Sequence, residues 1–350
     1  MNTKKMFLLM ILAFSSLMVN ISNEWINAII YSIAVVPLAM LLGNLTTEVS
    51  EFIGEKKGGL LAATVGNFPE LVMGIWAVRY GMILMAKSAV MGCIISNMLL
   101  GLGIAVICGG VKYGQQNFNK IIARTNFNML FLAFSSMVVM ASINRYSVLL
   151  GRVKISISVK VAFVLIGVYI LGLVFSLYTH RNLFIVSEGE YKEGFQFNKR
   201  VIFILICLVI VAILLYFISE RLVFNLKEVA MSYDLSEQFL GVILVPTLGN
   251  VGEMVSAVMS SVKNKINLSI ETSIGSSIQM ALFVMPIIII FSYFMGIKMT
   301  LFFSGFQILM TAIAVGMSYI VFQDGKTYWF EGAILISIYI MIIIGYYYII

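Results

Sequence analysis

Charge is what this chain has least of. Only 11% of its 350 residues are charged while 61% are hydrophobic, and mean hydropathy is +1.02. Soluble domains carry roughly twice that share of charge, so the composition excludes a soluble fold and specifies an all-α polytopic membrane protein. Histidine is nearly missing: His180, beside Arg181 at the end of an apolar run, reads as a solvated or interfacial loop residue rather than a ligand or base. Cys93, Cys108 and Cys207 all lie in apolar runs without Cys-x-x-Cys spacing, which assigns them to packing and speaks against a thiolate metal or redox centre. The formal charge of +7 comes from Lys and Arg scattered over short loops, so it is not a nucleic-acid footprint.

What fills the sequence instead is apolar runs near the 20 or so residues that cross a bilayer. They fall at approximately 6–20, 25–44, 58–79, 86–110, 123–143, 156–178, 201–219, 238–262, 269–296, 299–322 and 328–350, which predicts about eleven transmembrane helices. The first is short and follows Lys4 and Lys5, so a signal peptide competes with it; no small-x-small cleavage site follows, and a retained helix is expected. Residues 1–24 then hold a lone N-terminal helix, 25–178 a first repeat of five spans, 179–200 a polar linker and 201–350 a second repeat of five. Five is odd, so the second repeat enters the membrane inverted relative to the first. Loop Lys and Arg divide fourteen against nine in favour of the N-terminal side, which puts the N-terminus in the cytoplasm of a cell-membrane protein.

Two stretches within those runs answer each other. Gly66-Asn67-Phe68-Pro69-Glu70 and Gly249-Asn250-Val251-Gly252-Glu253 share Gly-Asn-x-x-Glu, at a constant offset of 250 − 67 = 253 − 70 = 183. The same offset pairs Gly58 with Gly241, Val72 with Val255, Ile83 with Ile266 and Gly92 with Gly275. A carboxylate at membrane depth is expensive, and two in equivalent repeat positions mark a functional site. Gly/Pro-interrupted hydrophobic segments in both halves point to a transporter's binding site.

The motifs read as broken helices. Gly66 and Gly249 tolerate unusual backbone angles and present no side chain to a bound ion. Pro69 and Pro246 each leave an upstream carbonyl without its usual donor, which is tolerated in a membrane where the carbonyl lines a cavity. Asn67 and Asn250 add amide oxygens, and Glu70 and Glu253 are the expected metal-binding carboxylates. This all-oxygen set suits a hard cation such as Ca2+; with no thiolate or imidazole it does not suit zinc or copper. Without a cation, two neighbouring carboxylates in low dielectric do not both stay ionised, so protons occupy the site until a divalent cation displaces them. Such competition is sufficient for antiport if only loaded states change access. No Lys or Arg lies inside either motif helix to pair with the glutamates.

Further polar residues follow each motif: Ser96 and Asn97 in the first repeat, Ser276, Ser277 and Gln279 in the second. Each either lines the site or bonds across helices. Glu48 and Glu228, each followed by Val, read as interfacial, and Glu188, Glu190 and Glu193 as a solvated linker cluster, with a regulatory cation site as the sharper alternative.

At these residues the chain resembles the Ca2+/H+ exchanger family of the Ca2+:cation antiporter superfamily, over most of residues 25–350. The resemblance is densest across 58–110 and 236–303 and includes Asp234 to Leu244, Asn264-Lys265, Gly275 to Gln279 and Pro286. It implies a lone first helix followed by two inverted five-helix repeats. It makes Glu70 and Glu253 the essential acidic residues, supported by Asn67 and Asn250, with Ca2+ exchanged against H+ and no cofactor. Two departures stand out. Met254 occupies the position after the second motif Glu where the family usually has His, and Phe68-Pro69 replaces the usual small residues. Met254 leaves Na+ open as the counter-ion. A passive cation channel and an intramembrane hydrolase using Glu70 and Glu253 as acid and base are the readings from other classes; the symmetry of the motifs speaks against the hydrolase.

Overall fold

The structure is a computed structural model and describes residues 3–19, 21–53, 61, 64–146, 150–179 and 199–348. His180, Gly58, most of the 179–200 linker and its acidic cluster Glu188, Glu190 and Glu193 lie outside the described residues. In chain order the helices are α1 (Thr3–Ser16), α2 (Glu24–Ile53), α3 (Phe68–Arg79), α4 (Ile83–Tyr113), α5 (Lys120–Tyr146), α6 (Gly151–Thr179) and α7 (Lys199–Tyr233). They continue with α8 (Glu237–Gly249), α9 (Val251–Val262), α10 (Ile266–Phe294), α11 (Gly305–Val321) and α12 (Trp329–Tyr348).

The chain is an all-helical, multi-pass membrane protein. Seven of these helices are long and apolar enough to cross a membrane, or eight if α8 and α9, bent by 57° at their junction, form one broken span. Every predicted apolar run contains a helix, but three are shorter than a span: α1 with 14 residues, α3 with 12 and α11 with 17. For α3 the reason is local: the Gly66-Asn67 turn interrupts the 58–79 run, so helix begins afresh at Phe68. The exterior is apolar, with Phe163, Val164 and Leu171 all exposed, as expected where lipid rather than water is the solvent. The sequence did not signal one small departure from an all-helical chain. Gln115–Asn117 (β1) and Lys326–Tyr328 (β2) pair antiparallel, Gln116 opposite Thr327, and tie the ends of α4 and α11 together.

Glycine sets the tightest crossing. On α4 a Cβ at Gly92 would lie 2.6 Å from the Val242 Cα of α8, and on α8 a Cβ at Gly241 would lie 3.1 Å from the Ala89 nitrogen. Only glycine permits this backbone-to-backbone approach, and it presses the second motif's entry helix onto α4. Cys93 and Cys207 are buried and Cys108 half-buried, all as free thiols, in keeping with packing roles. Glu48 pairs with Arg200 at 2.7 Å at the partly exposed end of α2, as an interfacial residue would.

Two ends of the molecule can be told apart along α4, whose 31 residues span about 46 Å. At its start, Leu84 and Met85 donate backbone N–H bonds to Glu237, and Lys227 donates to the Tyr80 carbonyl at 3.1 Å. At its finish, the Tyr113 hydroxyl and the Lys112 ammonium donate to the Val262 carbonyl at 2.8 and 2.9 Å. The turn after α3 and the turn after α9 therefore lie at opposite ends of the molecule.

Candidate functional site

The two motifs fold alike. Asn67 (φ −98°, ψ 28°) and Asn250 (φ −81°, ψ 2°) both leave the helical region and stand at the N-termini of α3 and α9. In each, the Asn carbonyl accepts from the residue four on: Leu71 N at 3.0 Å and Met254 N at 2.9 Å. Neither Asn side chain caps its helix, so both amides are free for other partners. Glu70 and Glu253 fall in the first turn of α3 and α9, where the helix dipole favours negative charge.

The expectation that Gly249 supplies an unusual backbone angle is not met, since its conformation is helical and its φ negative. Its role is steric. A Cβ there would lie 2.7 Å from Cδ and 2.9 Å from Cγ of Glu70, so the first motif's carboxylate rests directly on the second motif's backbone. Glu70 is buried, Glu253 half-buried, and the two are close enough to interact electrostatically.

Around them runs a hydrogen-bond chain across the two halves. Asn97 Nδ2 donates to Ser276 Oγ at 2.9 Å, Ser276 Oγ to Asn67 Oδ1 at 3.0 Å, and Asn67 Nδ2 to Gln279 Oε1 at 2.6 Å. Ser277 does not join it: its hydroxyl donates to the Ser273 carbonyl of its own helix, so it is a packing residue. What remains unpaired is as informative. Glu70 Oε2, Glu253 Oε2, both side-chain polar atoms of Asn250 and Ser96 Oγ are buried with no hydrogen-bond partner. Buried polar atoms are nearly always satisfied, and the oxygens among these orphans leave lone pairs open to a cation. No group of three His, Cys, Asp or Glu exists among the described residues; the donor set is two carboxylates with amides, hydroxyls and carbonyls.

A cavity of about 480 Å³ reaches this place from one side. Gly66, Pro69, Gly249, Gly252 and Glu253 form its floor, Asn44, Thr46 and Thr47 of α2 one wall, and Ser256 and Thr272 of α9 and α10 another. Ser256 and Thr272 lie between Glu253 and the α9–α10 turn, so the cavity's lining extends from the motifs towards the end carrying Lys263–Lys265. On the other side α3 is locked to α7: Trp76 Nε1 donates to the Tyr216 carbonyl at 3.1 Å and the Tyr80 hydroxyl to Glu220 at 3.3 Å.

Three features escaped the sequence reading. The polar wall of α2 has no motif. Lys87, one of the nine cations assigned to loops on the side opposite the N-terminus, is buried in α4 and donates to the Phe302 carbonyl at 2.9 Å and to Thr300 at 3.3 Å. And both α4 and α10 widen into π-helix, at Ser96–Gly101 and Met280–Val284, which the repeat offset superposes (101 + 183 = 284). π-turns interrupt the regular ladder and often mark functional sites; here each begins beside site-facing polar residues.

A family model described as sodium/calcium exchanger protein matches residues 5–178 and 203–348. The chain is 36% identical over 330 residues to a Ca2+/H+ antiporter of Aphanothece halophytica, covering 91% of this chain and 88% of that one. It is 32% identical to the Ca2+/H+ antiporter ChaA of Bacillus subtilis strain 168, over 93% of both chains. Among solved structures, native YfkE superposes with a TM-score of 0.82 at 29% identity, covering 98% of this chain and 99% of that one. The H+/Ca2+ exchanger CAX shares the fold, with a TM-score of 0.77 at 15% identity, covering 98% of this chain and 91% of that one.

Proposed function

The chain belongs to the Ca2+/H+ antiporter family within the sodium/calcium exchangers, a transporter and not an enzyme, and we propose that its exchange runs through Glu70 and Glu253. In this reading Ca2+, or a similar divalent cation, is the substrate. It enters between the carboxylates, with Asn67 and Asn250 supplying amide oxygens, and leaves the cytoplasm as H+ enters. The observation that carries the proposal is the set of orphaned oxygens on Glu70, Glu253 and Asn250, with no salt bridge to either carboxylate among the described residues. One divalent ion or two protons meet the same charge requirement, which is what makes the ions mutually exclusive. A passive channel needs no counter-ion, so coupling of the flux to a second ion separates it from exchange.

Uptake of labelled Ca2+ into inside-out vesicles tests this directly. An imposed pH gradient, acid inside, is expected to drive accumulation and an imposed Na+ gradient is not. Accumulation driven by Na+ alone would move the chain to Na+-coupled exchange, and flux without either gradient would make it a channel.

The architecture behind this mechanism is one lone helix followed by two inverted five-helix repeats, eleven spans in all, with the N-terminus cytoplasmic. The cavity then faces the cytoplasm. In a background with Cys93, Cys108 and Cys207 replaced by Ala, cysteines at Leu84 and Lys263, both exposed, are expected to react with impermeant reagents from opposite sides, Lys263→Cys from the cytoplasm. Labelling of both from one side would remove the inverted repeat.

Met254 bears on the counter-ion. Its Cγ lies 3.4 Å from where a Cβ on Gly101 would stand, so it packs against the π-turn of α4 beside the site. An imidazole placed there gains positive charge below about pH 6.5 and repels the cation. Met254→His is expected to lose exchange relative to the parent on the acid side of that value and to match it on the alkaline side. Overlaid profiles from pH 5 to 9 would show that position 254 does not touch proton competition.

A further inference from the structure

Two long stretches of the sequence carry Lys and Arg with no acidic residue among them. Between Glu70 and Glu188 there is no Asp or Glu, and none between Glu271 and Asp324. Helix α6 falls inside the first gap and α10 beyond Glu271 inside the second, and the two pack together through Tyr169 and Phe283 with ring centroids 5.2 Å apart. On their membrane-exposed side, at the end opposite the cation cavity, lies a groove of about 430 Å³ lined by Arg152, Ile155, Ser156, Val159, Lys160 and Tyr293. Arg152, Ser156 and Lys160 follow at intervals of four along α6, so they form one stripe on the helix surface, and all three are exposed.

Depth makes this stripe unusual. The 29 residues of α6 extend about 43 Å against a hydrocarbon core of about 30 Å, so Lys160 starts about 7 Å below the boundary, in a groove whose lining holds no carboxylate. A lone ammonium there is costly. Its four-carbon stem lets it snorkel back along Ile155 and Val159, towards Arg152 about 12 Å away along the helix. Arg152, Ser156 and Lys160 line the same groove. Tyr293, at the last turn of α10, supplies the opposite wall and a hydroxyl at the level where tyrosines sit against headgroups.

We propose that the α6–α10 groove is a binding site for an anionic phospholipid, whose headgroup phosphate is held by Arg152, Lys160 and Ser156 and whose acyl chains lie along Ile155 and Val159. Charge complementarity fixes the occupant: two cations and two hydroxyls at headgroup depth over an apolar floor match a phosphate esterified to a lipid, whereas a free phosphate has no use for the floor. The site lies at the end away from Glu70 and Glu253 and does not depend on the exchange assignment.

The test uses the full chain in nanodiscs of equal phosphatidylglycerol and phosphatidylcholine, with lipids that stay bound counted by native mass spectrometry. The parent is expected to retain phosphatidylglycerol in excess of the bulk ratio, and Arg152→Gln/Lys160→Gln to fall back to it. Lys263→Gln/Lys265→Gln removes the same charge at the other end and is expected to keep the excess. Three results would overturn the proposal: a parent at the bulk ratio, a stripe variant that retains the parent's excess, or equal loss in both double variants, which would make the preference a bulk charge effect. A cysteine at Ser156 that cross-links to a second copy would overturn it too, by showing the groove covered by protein.

Discussion

Replacing either motif glutamate by its amide is expected to abolish exchange without unfolding the protein. Glu70→Gln and Glu253→Gln keep the size and shape of the side chain, so the close seating of Glu70 on Gly249 survives, and no salt bridge to either is broken because none is recorded among the described residues. What is lost is one of the two negative charges that face the cation. A divalent ion left with a single carboxylate in a buried site is an uncompensated charge, and removing one partner from such an arrangement costs about 3–5 kcal/mol. At about 1.4 kcal/mol per tenfold, Ca2+ affinity falls at least about 100-fold, and proton competition loses its second site as well. The check is ΔpH-driven Ca2+ uptake in vesicles, with membrane insertion and monodisperse elution confirming the fold. Near-normal flux in either single variant would remove the shared-site mechanism, because a divalent cation at a shared site needs both charges at once.

The symmetry of this site could be read from the sequence because it is written in residue identity. The offset of 183 predicted two equivalent helix breaks, and the bent α8–α9 pair and the Gly66-Asn67 turn are those breaks, with Asn67 and Asn250 in nearly the same backbone conformation. The partners of Asn67 were harder to foresee. Ser276 and Gln279 were candidates, but that Ser276 bridges Asn97 to Asn67 while Ser277 turns to its own helix depends on rotation about α10, which one adjacent residue changes by 100°. The π-turns left no pattern at all, since a single widened turn alters hydrogen bonding without altering hydrophobic period. Run length was a fair guide to where helix exists and a poor one to where it stops. The break in the 58–79 run was legible in Gly66, Asn67 and Pro69 but the short length of the helix beyond it, 12 residues, was not, and Lys87 looked like a loop residue because its partners, Thr300 and Phe302, arrive from the other end of the chain.

The two glycines of the second motif are expected to respond differently to the same added methyl group. At Gly252 a Cβ would meet Met40 at 3.7 Å and beyond, an ordinary contact on the cavity wall, and the matching position of the first motif already holds Pro69. At Gly249 the same atom would fall within 2.7 Å of the Glu70 Cδ. Carbon atoms settle at about 3.5–4.0 Å, so the Glu70 carboxylate must retreat by roughly 1 Å or α8 must part from α3. Overpacking of this kind costs about 1–3 kcal/mol, and the strain is directed at the atoms that face the cation. If it falls on the loaded state, Ca2+ affinity drops by about 5- to 150-fold, while the carboxylate pair and its charge remain. Gly249→Ala is therefore expected to raise the Ca2+ concentration needed for half-maximal exchange by that factor, and Gly252→Ala to leave it near the parent's. Equal behaviour of the two variants would mean that Glu70 does not rest on Gly249 in the state that binds the cation. A Gly249→Ala loss that high Ca2+ fails to restore would place the strain on the conformational change instead of on binding.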